Sequence, residues 1–198
     1  MYDLKKRVLI IILASFLLIT PFYLIQRNIQ SIIRNQEEQR KILGAETQKE
    51  KQGLPLHLII PAINVNANVQ HLGINEKGEM DVPDNTADVG WFNLGPRPGE
   101  IGSAVMDGHF NGKDGASGVF KNLFKLKSGD KLYVEDDIGV MTTFIVREIR
   151  TYNPGYEEEV FSLNDNAHLN LITCDGTWDE TRKSYSKRLI VFTDIIRD

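Results

Sequence analysis

Apolar and polar residues follow three regimes along this chain. From Val8 to Ile25 the run VLIIILASFLLITPFYLI carries no charge. Eighteen residues at ~1.5 Å rise make a helix of roughly 27 Å, about the thickness of a bilayer's hydrocarbon core. Residues 26–53 are rich in Gln, Glu, Lys and Arg, with apolar positions confined mostly to Ile29, Ile32, Ile33, Ile42 and Leu43. They predict a polar, partly helical stalk, or equally a helix packed on the following domain. From Leu54 onward short β-type runs alternate with turn residues. Strands are expected at Leu56–Ile60, Val65–His71, Ser103–Asp107, Lys131–Glu135, Val140–Ile149, His168–Cys174 and Arg188–Ile196. Gly, Pro, Asn and Asp clusters at Asp81–Asn85, Gly95–Gly99, Asn111–Gly118 and Asn153–Gly155 separate them. One short helix fits Val119–Leu126, with Ser117 as its N-cap. Seven or eight strands with little helix predict an all-β domain, a closed barrel or a sandwich.

The flanks of the first regime give it a direction. Lys5, Lys6 and Arg7 precede the apolar run, which places residues 1–7 in the cytoplasm and everything after residue 25 outside. A cleaved signal peptide would have a shorter apolar core and small residues at a cut site, whereas Pro21-Phe22-Tyr23 leads straight into Gln26-Arg27-Asn28. A buried core helix would show a polar face. The expectation is a retained transmembrane signal anchor at 8–25, a stalk at 26–53 and an extracellular domain at 54–198.

Composition narrows the classes. The 198 residues carry 23 basic and 27 acidic side chains and a single cysteine. One cysteine forms no intrachain disulfide, so a packed core must hold the domain. Without the first 25 residues 20 basic and 26 acidic side chains remain, and this acidic balance argues against nucleic acid and against polyanion binding.

That lone cysteine is the first candidate for chemistry. Cys174 ends the run Leu169-Asn170-Leu171-Ile172-Thr173-Cys174 and precedes Asp175-Gly176. A strand-end position suits a reactive thiol, although a structural cysteine remains open. A thiol with a pKa of about 8.5 is only ~3% ionised at pH 7, so a nucleophilic role needs a partner. His168 is six residues away on the same strand, roughly 20 Å in extended chain, and is excluded. His57 reads as solvent-facing and His71 is weakly placed. His109 follows a β run and Gly108, a position from which it can approach another strand end, although taken alone a loop histidine is more often a plain surface residue. Arg188 opens the last run. On neighbouring antiparallel strands Cys174 and Arg188 can lie at the same end of the sheet, where a guanidinium can stabilise an oxyanion. Arg182, in the connecting segment, is the competitor.

Three of these pieces, in order, resemble a sortase, the membrane-anchored cysteine transpeptidases of bacterial envelopes: Gly108-His109 after a β run, Leu171-Ile172-Thr173-Cys174, and Lys187-Arg188. Ile60-Pro61-Ala62-Ile63 and the segment from Val89-Gly90-Trp91-Phe92 through Pro96-Arg97-Pro98-Gly99 are similar to class F, whereas the stretch from Cys174-Asp175 to Lys187-Arg188 looks closer to class A. Asn170 departs from the family's usual threonine and should alter the groove on the Cys174 face. The resemblance covers residues 54–198. It implies an eight-stranded closed β-barrel with one or two short helices. It also implies that Cys174 attacks an LPxTG-type sorting signal between Thr and Gly. His109 would exchange the proton, Arg188 would hold substrate and oxyanion, and Thr173 would support Cys174. The acceptor would be an amine of a peptidoglycan precursor or a pilin lysine. No cofactor and no metal are implied, because the acidic cluster that binds calcium in some class A members has no clear counterpart.

Rival readings have their own requirements. An L,D-transpeptidase-like envelope enzyme would want a Ser-x-Gly-Cys turn, which Thr173-Cys174-Asp175-Gly176 does not supply. A papain-like hydrolase would place its cysteine at a helix N-terminus. An anchored β-barrel binding module with an inert cysteine is separated from the enzyme by thiol reactivity.

Overall fold

A computed structural model describes residues 26–41, 52–112, 115–155, 158–162 and 166–197. The expected cytoplasmic N-terminus and the expected anchor at 8–25 lie outside these residues. Among the described residues no helix is long and apolar enough to cross a membrane. The chain divides into two units, residues 1–47 and 48–198. In the first, residues 26–41 form a helix, α1, exposed along its described length. Its Gln-, Glu- and Arg-rich sequence is made of good helix formers.

In the second unit the chain is already part of the domain at Gln52, whose side-chain amide donates to the Pro98 carbonyl at 2.7 Å. Gly53 N–H donates to Asp136 Oδ2, and Leu54 N–H to Asp137 Oδ1. Eight strands follow: β1 (Pro55–Ile60), β2 (Val65–Leu72), β3 (Val89–Phe92), β4 (Gly102–Gly108), β5 (Lys131–Asp136), β6 (Met141–Tyr152), β7 (Ala167–Asp179) and β8 (Ser184–Ile196). They close into a barrel in the order β1-β2-β3-β4-β7-β8-β6-β5. Pairing is antiparallel except for β2–β3 and β4–β7, which are parallel. Closure leaves no sheet edge unpaired.

Alternation divides the strands into two faces. Ala104, Met106, Leu169, Leu171, Leu189 and Val191 point inward and join Leu58, Leu132 and Phe144 in the barrel core. Val105, Ile190 and Phe192 point outward, yet they too are buried, against Val160, Met80, Phe92 and Ile172. These outer-face contacts come from the β2–β3 connection and from the short 3-10 turn Glu158–Phe161 before β7. They make one outer flank of the barrel a second apolar surface, and the site lies on it.

Three expectations change. The Val119–Leu126 helix contracts to a 3-10 turn at Leu123–Lys125 without a side-chain cap. Its apolar residues are held by the barrel instead, Phe120 and Leu123 being fully buried in the core. A strand absent from the expected set, β3, is only four residues long and contains Gly90. Finally, Cys174 does not end its strand, nor does Arg188 open the next one. β7 runs on to Asp179 and β8 starts at Ser184, with Trp178 opposite Tyr185 and Asp179 opposite Ser184. The tight turn between them is set by Asp179 Oδ1, which accepts from the N–H groups of Thr181 and Arg182, and by Lys183 at φ 52°. The Asp-Gly after Cys174 does not reverse the chain but sits at a register shift within a long hairpin.

Candidate active site

Strand register brings the sequence-predicted residues together. Cys174 and Arg188 are direct cross-strand partners on β7 and β8 and therefore share a face. Cys174 lies on the side of Ile172, and Arg188 on the side of Ile190, so both face the outer apolar surface. β4 runs parallel beside β7 with Asp107 opposite Ile172, which carries the chain from Gly108 into His109 at the level of Cys174. One cavity of about 390 Å³ is lined by Cys174, His109, Arg188 and Asp107, together with Met80, Val82 and Phe161 among others. A second, of about 550 Å³, lies on the hairpin side, lined by Cys174, His109, Phe110, Trp178 and Tyr185 among others. The thiol and the imidazole border both.

Each group has a local support. His109 Nε2–H donates to the Pro83 carbonyl at 2.9 Å, which leaves Nδ1 as the nitrogen free for proton exchange. The loop carrying His109 is pinned by Phe120 N–H to the His109 carbonyl and by Gly118 N–H to the Phe110 carbonyl. Gly118 abuts this backbone so closely that a Cβ there would collide with the His109 carbonyl. Thr173 points inward, and its hydroxyl donates to the Gly108 carbonyl at 2.8 Å, fastening β7 to β4 beside Cys174 and His109. Asn170 faces the same side as Cys174, as alternation predicts. Its Nδ2 donates to the Val160 carbonyl at 2.8 Å and holds the segment before β7 on the groove.

The half-buried Arg188 guanidinium donates to the carbonyls of Lys187 (3.0 Å) and Tyr185 (3.3 Å). Burial pushes the Cys174 thiol pKa up; the Arg188 charge pulls it down and Asp107 pushes it up again. In this arrangement the thiol needs help to ionise, and Arg188 is the cation that supplies it.

The other candidate residues lie away from this cavity. Arg182 sits in the hairpin turn with an 82% exposed side chain and approaches Asp179 at 3.8 Å. His168 lies toward the other end of β7, where Nδ1–H donates to Asp194 Oδ1 at 2.8 Å. His71 Nε2–H donates to the Pro55 carbonyl, and the ring packs edge-on against Trp91. His57 is half-buried on β1, across the barrel from β7. Among the described residues no group of three or more His, Cys, Asp or Glu side chains is placed to hold a metal.

Sequence reasoning passed over Asp107 and Pro83. Asp107 had a signal, a charge at the end of the otherwise uncharged run Ser103-Ala104-Val105-Met106. Pro83 acts through its main-chain carbonyl and had none.

The sortase domain family matches residues 58–196, which is most of the chain. The chain belongs to the sortase family, cysteine transpeptidases that act on sorting signals, and this sets aside the binding module and the other cysteine enzymes. No curated protein matches it by sequence. Among solved structures it is similar to sortase C1 of Streptococcus agalactiae in complex with MTSET, at 27% identity over 72% of this chain and 67% of that one, with a TM-score of 0.57. Sortase C-1 of Actinomyces oris shares 24% identity over 75% of each chain at a TM-score of 0.59. Sortase A of Corynebacterium diphtheriae shares 20% over 75% of this chain and 63% of that one, at 0.57. The last two likenesses establish the fold.

Proposed function

We propose that this sortase is held by residues 8–25 in the cell membrane, N-terminus inside, and works on the extracellular side upon an LPxTG-type signal. The observation that carries the chemistry is the direct pairing of Cys174 with Arg188 in one cavity with His109. Cys174 thiolate attacks the carbonyl of the Thr–Gly bond. The tetrahedral oxyanion takes hydrogen bonds from Arg188, whose fork of donors can turn from the Tyr185 and Lys187 carbonyls to the substrate. Collapse breaks the C–N bond as His109 delivers a proton through Nδ1 to the leaving amine, giving a thioester on Cys174 and a peptide with a new N-terminus. An incoming amine then attacks the thioester, His109 takes its proton, and the Cys174 thiolate leaves, which restores the thiolate and the protonated imidazole for the next turnover. Thr173 keeps the two reactive strands in register. The acceptor is an amine of a peptidoglycan precursor or a pilin lysine.

The test is mass spectrometry of the full chain in detergent, incubated with an LPxTG-type peptide and a nucleophilic amine. A thioacyl adduct on Cys174 that resolves into a threonine–amine product is expected. A reactive Cys174 that leaves this peptide intact would overturn the LPxTG assignment. Localisation is tested separately by protease protection of intact cells, where a domain shielded from external protease would refute the extracellular placement.

A further inference from the structure

The groove floor holds one carboxyl that the mechanism does not use. Asp107 lies on the outer face of β4 with Val105, opposite Gly90 on β3 and Ile172 on β7. Its Oδ1 is buried and has no hydrogen-bond partner among the described residues. The space it occupies is cleared by Gly90, since a Cβ there would stand 2.8 Å from Oδ1 and collide with Leu72. Burial and the negative charge of Asp81 push the Asp107 pKa up to about 8. A buried carboxyl oxygen without a donor is a cost to the folded protein, and it calls for a reason such as a ligand that completes it.

The surroundings indicate which ligand. The cavity holding Asp107 is lined also by Glu79, and its one lysine or arginine, Arg188, is turned toward carbonyls of its own strand. Two carboxyls therefore face the cavity, and among the described residues no fixed cation answers them; a ligand cation beside Asp107 would oppose burial and the Asp81 charge, draw off its proton and pair with the carboxylate. The position is equally specific. Ile172, the cross-strand partner of Asp107, precedes Cys174 by two residues, roughly 7 Å along an extended strand. The second cavity, on the hairpin side of Cys174, is not lined by Asp107. A peptide lying along β7 with its scissile carbonyl at Cys174 would pass a side chain over Asp107 within the few residues before the cleaved bond.

We propose that Asp107 is a specificity-determining residue that binds a cationic side chain, lysine or arginine, of the acyl-donor peptide in the stretch just before its scissile bond. This rests on the assignment of the Arg188 cavity to the sorting signal. The same ammonium chemistry could come from the amine acceptor, so the experiment separates the two.

The experiment measures protection of Cys174 from iodoacetamide in the full chain. The protecting peptides have the scissile amide replaced by a methylene, so that protection reports binding alone. Pairs differ only by lysine or norleucine at one of two positions, the variable residue of the LPxTG-type signal or the residue just before its leucine. At one position the lysine peptide should protect at about tenfold lower concentration than its norleucine partner, as a charged hydrogen bond gives. That gap should vanish in Asp107→Ala and Asp107→Asn, while propylamine alone should not protect. Equal protection within every pair on the unaltered protein, or no protection by any peptide, overturns the proposal. Protection by propylamine that depends on Asp107, without a lysine preference in the peptides, overturns it in favour of the acceptor. Failure of the function itself is visible independently, as the absence of a thioester from any cleavable peptide.

Discussion

The inner and outer faces of β4, β7 and β8 are made by alternate residues of the same strands, and they are organised oppositely. Inward, Ala104, Met106, Leu169, Leu171, Leu189 and Val191 form part of a closed apolar core. Outward, the same strands present apolar Val105, Ile172, Ile190 and Phe192 mixed with Asp107, Asn170, Cys174 and Arg188. Two buried oxygens there, Asp107 Oδ1 and Asn170 Oδ1, have no partner among the described residues. The inner face is finished by folding alone, whereas the outer face still has polar atoms for a ligand to meet. A single-residue slip of register would exchange the two sets, so the core that fixes the register also places the chemistry.

The sharpest way to separate the faces is Cys174→Ala. Thioester formation should be abolished while thermal unfolding stays near that of the unaltered protein; a labelled intermediate in this variant would remove Cys174 from the mechanism. On the inner face, Phe144→Ala empties a fully buried position. It should cost about 3–5 kcal/mol in urea unfolding, with the activity of the remaining folded fraction retained. Arg188→Lys returns to the outer face. Losing the fork of donors should slow acylation by about 10²–10³, read from single-turnover mass spectrometry, and near-normal rates would deprive Arg188 of the oxyanion role.

The last prediction concerns Asp107 and is read as a pH dependence. In the folded protein its carboxyl keeps its proton up to about pH 8, whereas a free aspartate releases it near 3.8. Between those values the folded state holds the extra proton, so its stability contribution is full below about pH 4 and falls as pH rises toward 8. Asp107→Asn should remove a slope of about 1.4 kcal/mol per pH unit in that window. The variant's advantage should therefore grow from pH 5 to pH 7 in urea titrations. Identical pH dependence in both proteins would show that the carboxyl titrates like an exposed one.

Much of the barrel was legible as alternation, because a half-buried strand must place its apolar residues two apart. The boundaries that failed share a cause. Asp175-Gly176 carries a turn signature, yet pairing of Trp178 with Tyr185 and Asp179 with Ser184 extends the hairpin beyond it. Val119–Leu126 has a helix-like apolar pattern, but Phe120 and Leu123 are drawn into the barrel core and leave room for only one 3-10 turn. β3 is too short to show a period. Its pairing with β2 and β4 is a long-range property.

The sequence by itself determined the all-β class and singled out Cys174, with His109 and Arg188 among its candidate partners, since these follow from local alternation and from residue types whose chemistry is intrinsic. It also carried the charge-free run at 8–25. Only the tertiary structure decided between Arg188 and Arg182, between His109 and the other histidines, and on Asp107 as a buried carboxyl facing the groove. Those choices depend on which strands become neighbours and in what register. In this fold that is settled by parallel pairings and barrel closure between segments far apart in the chain.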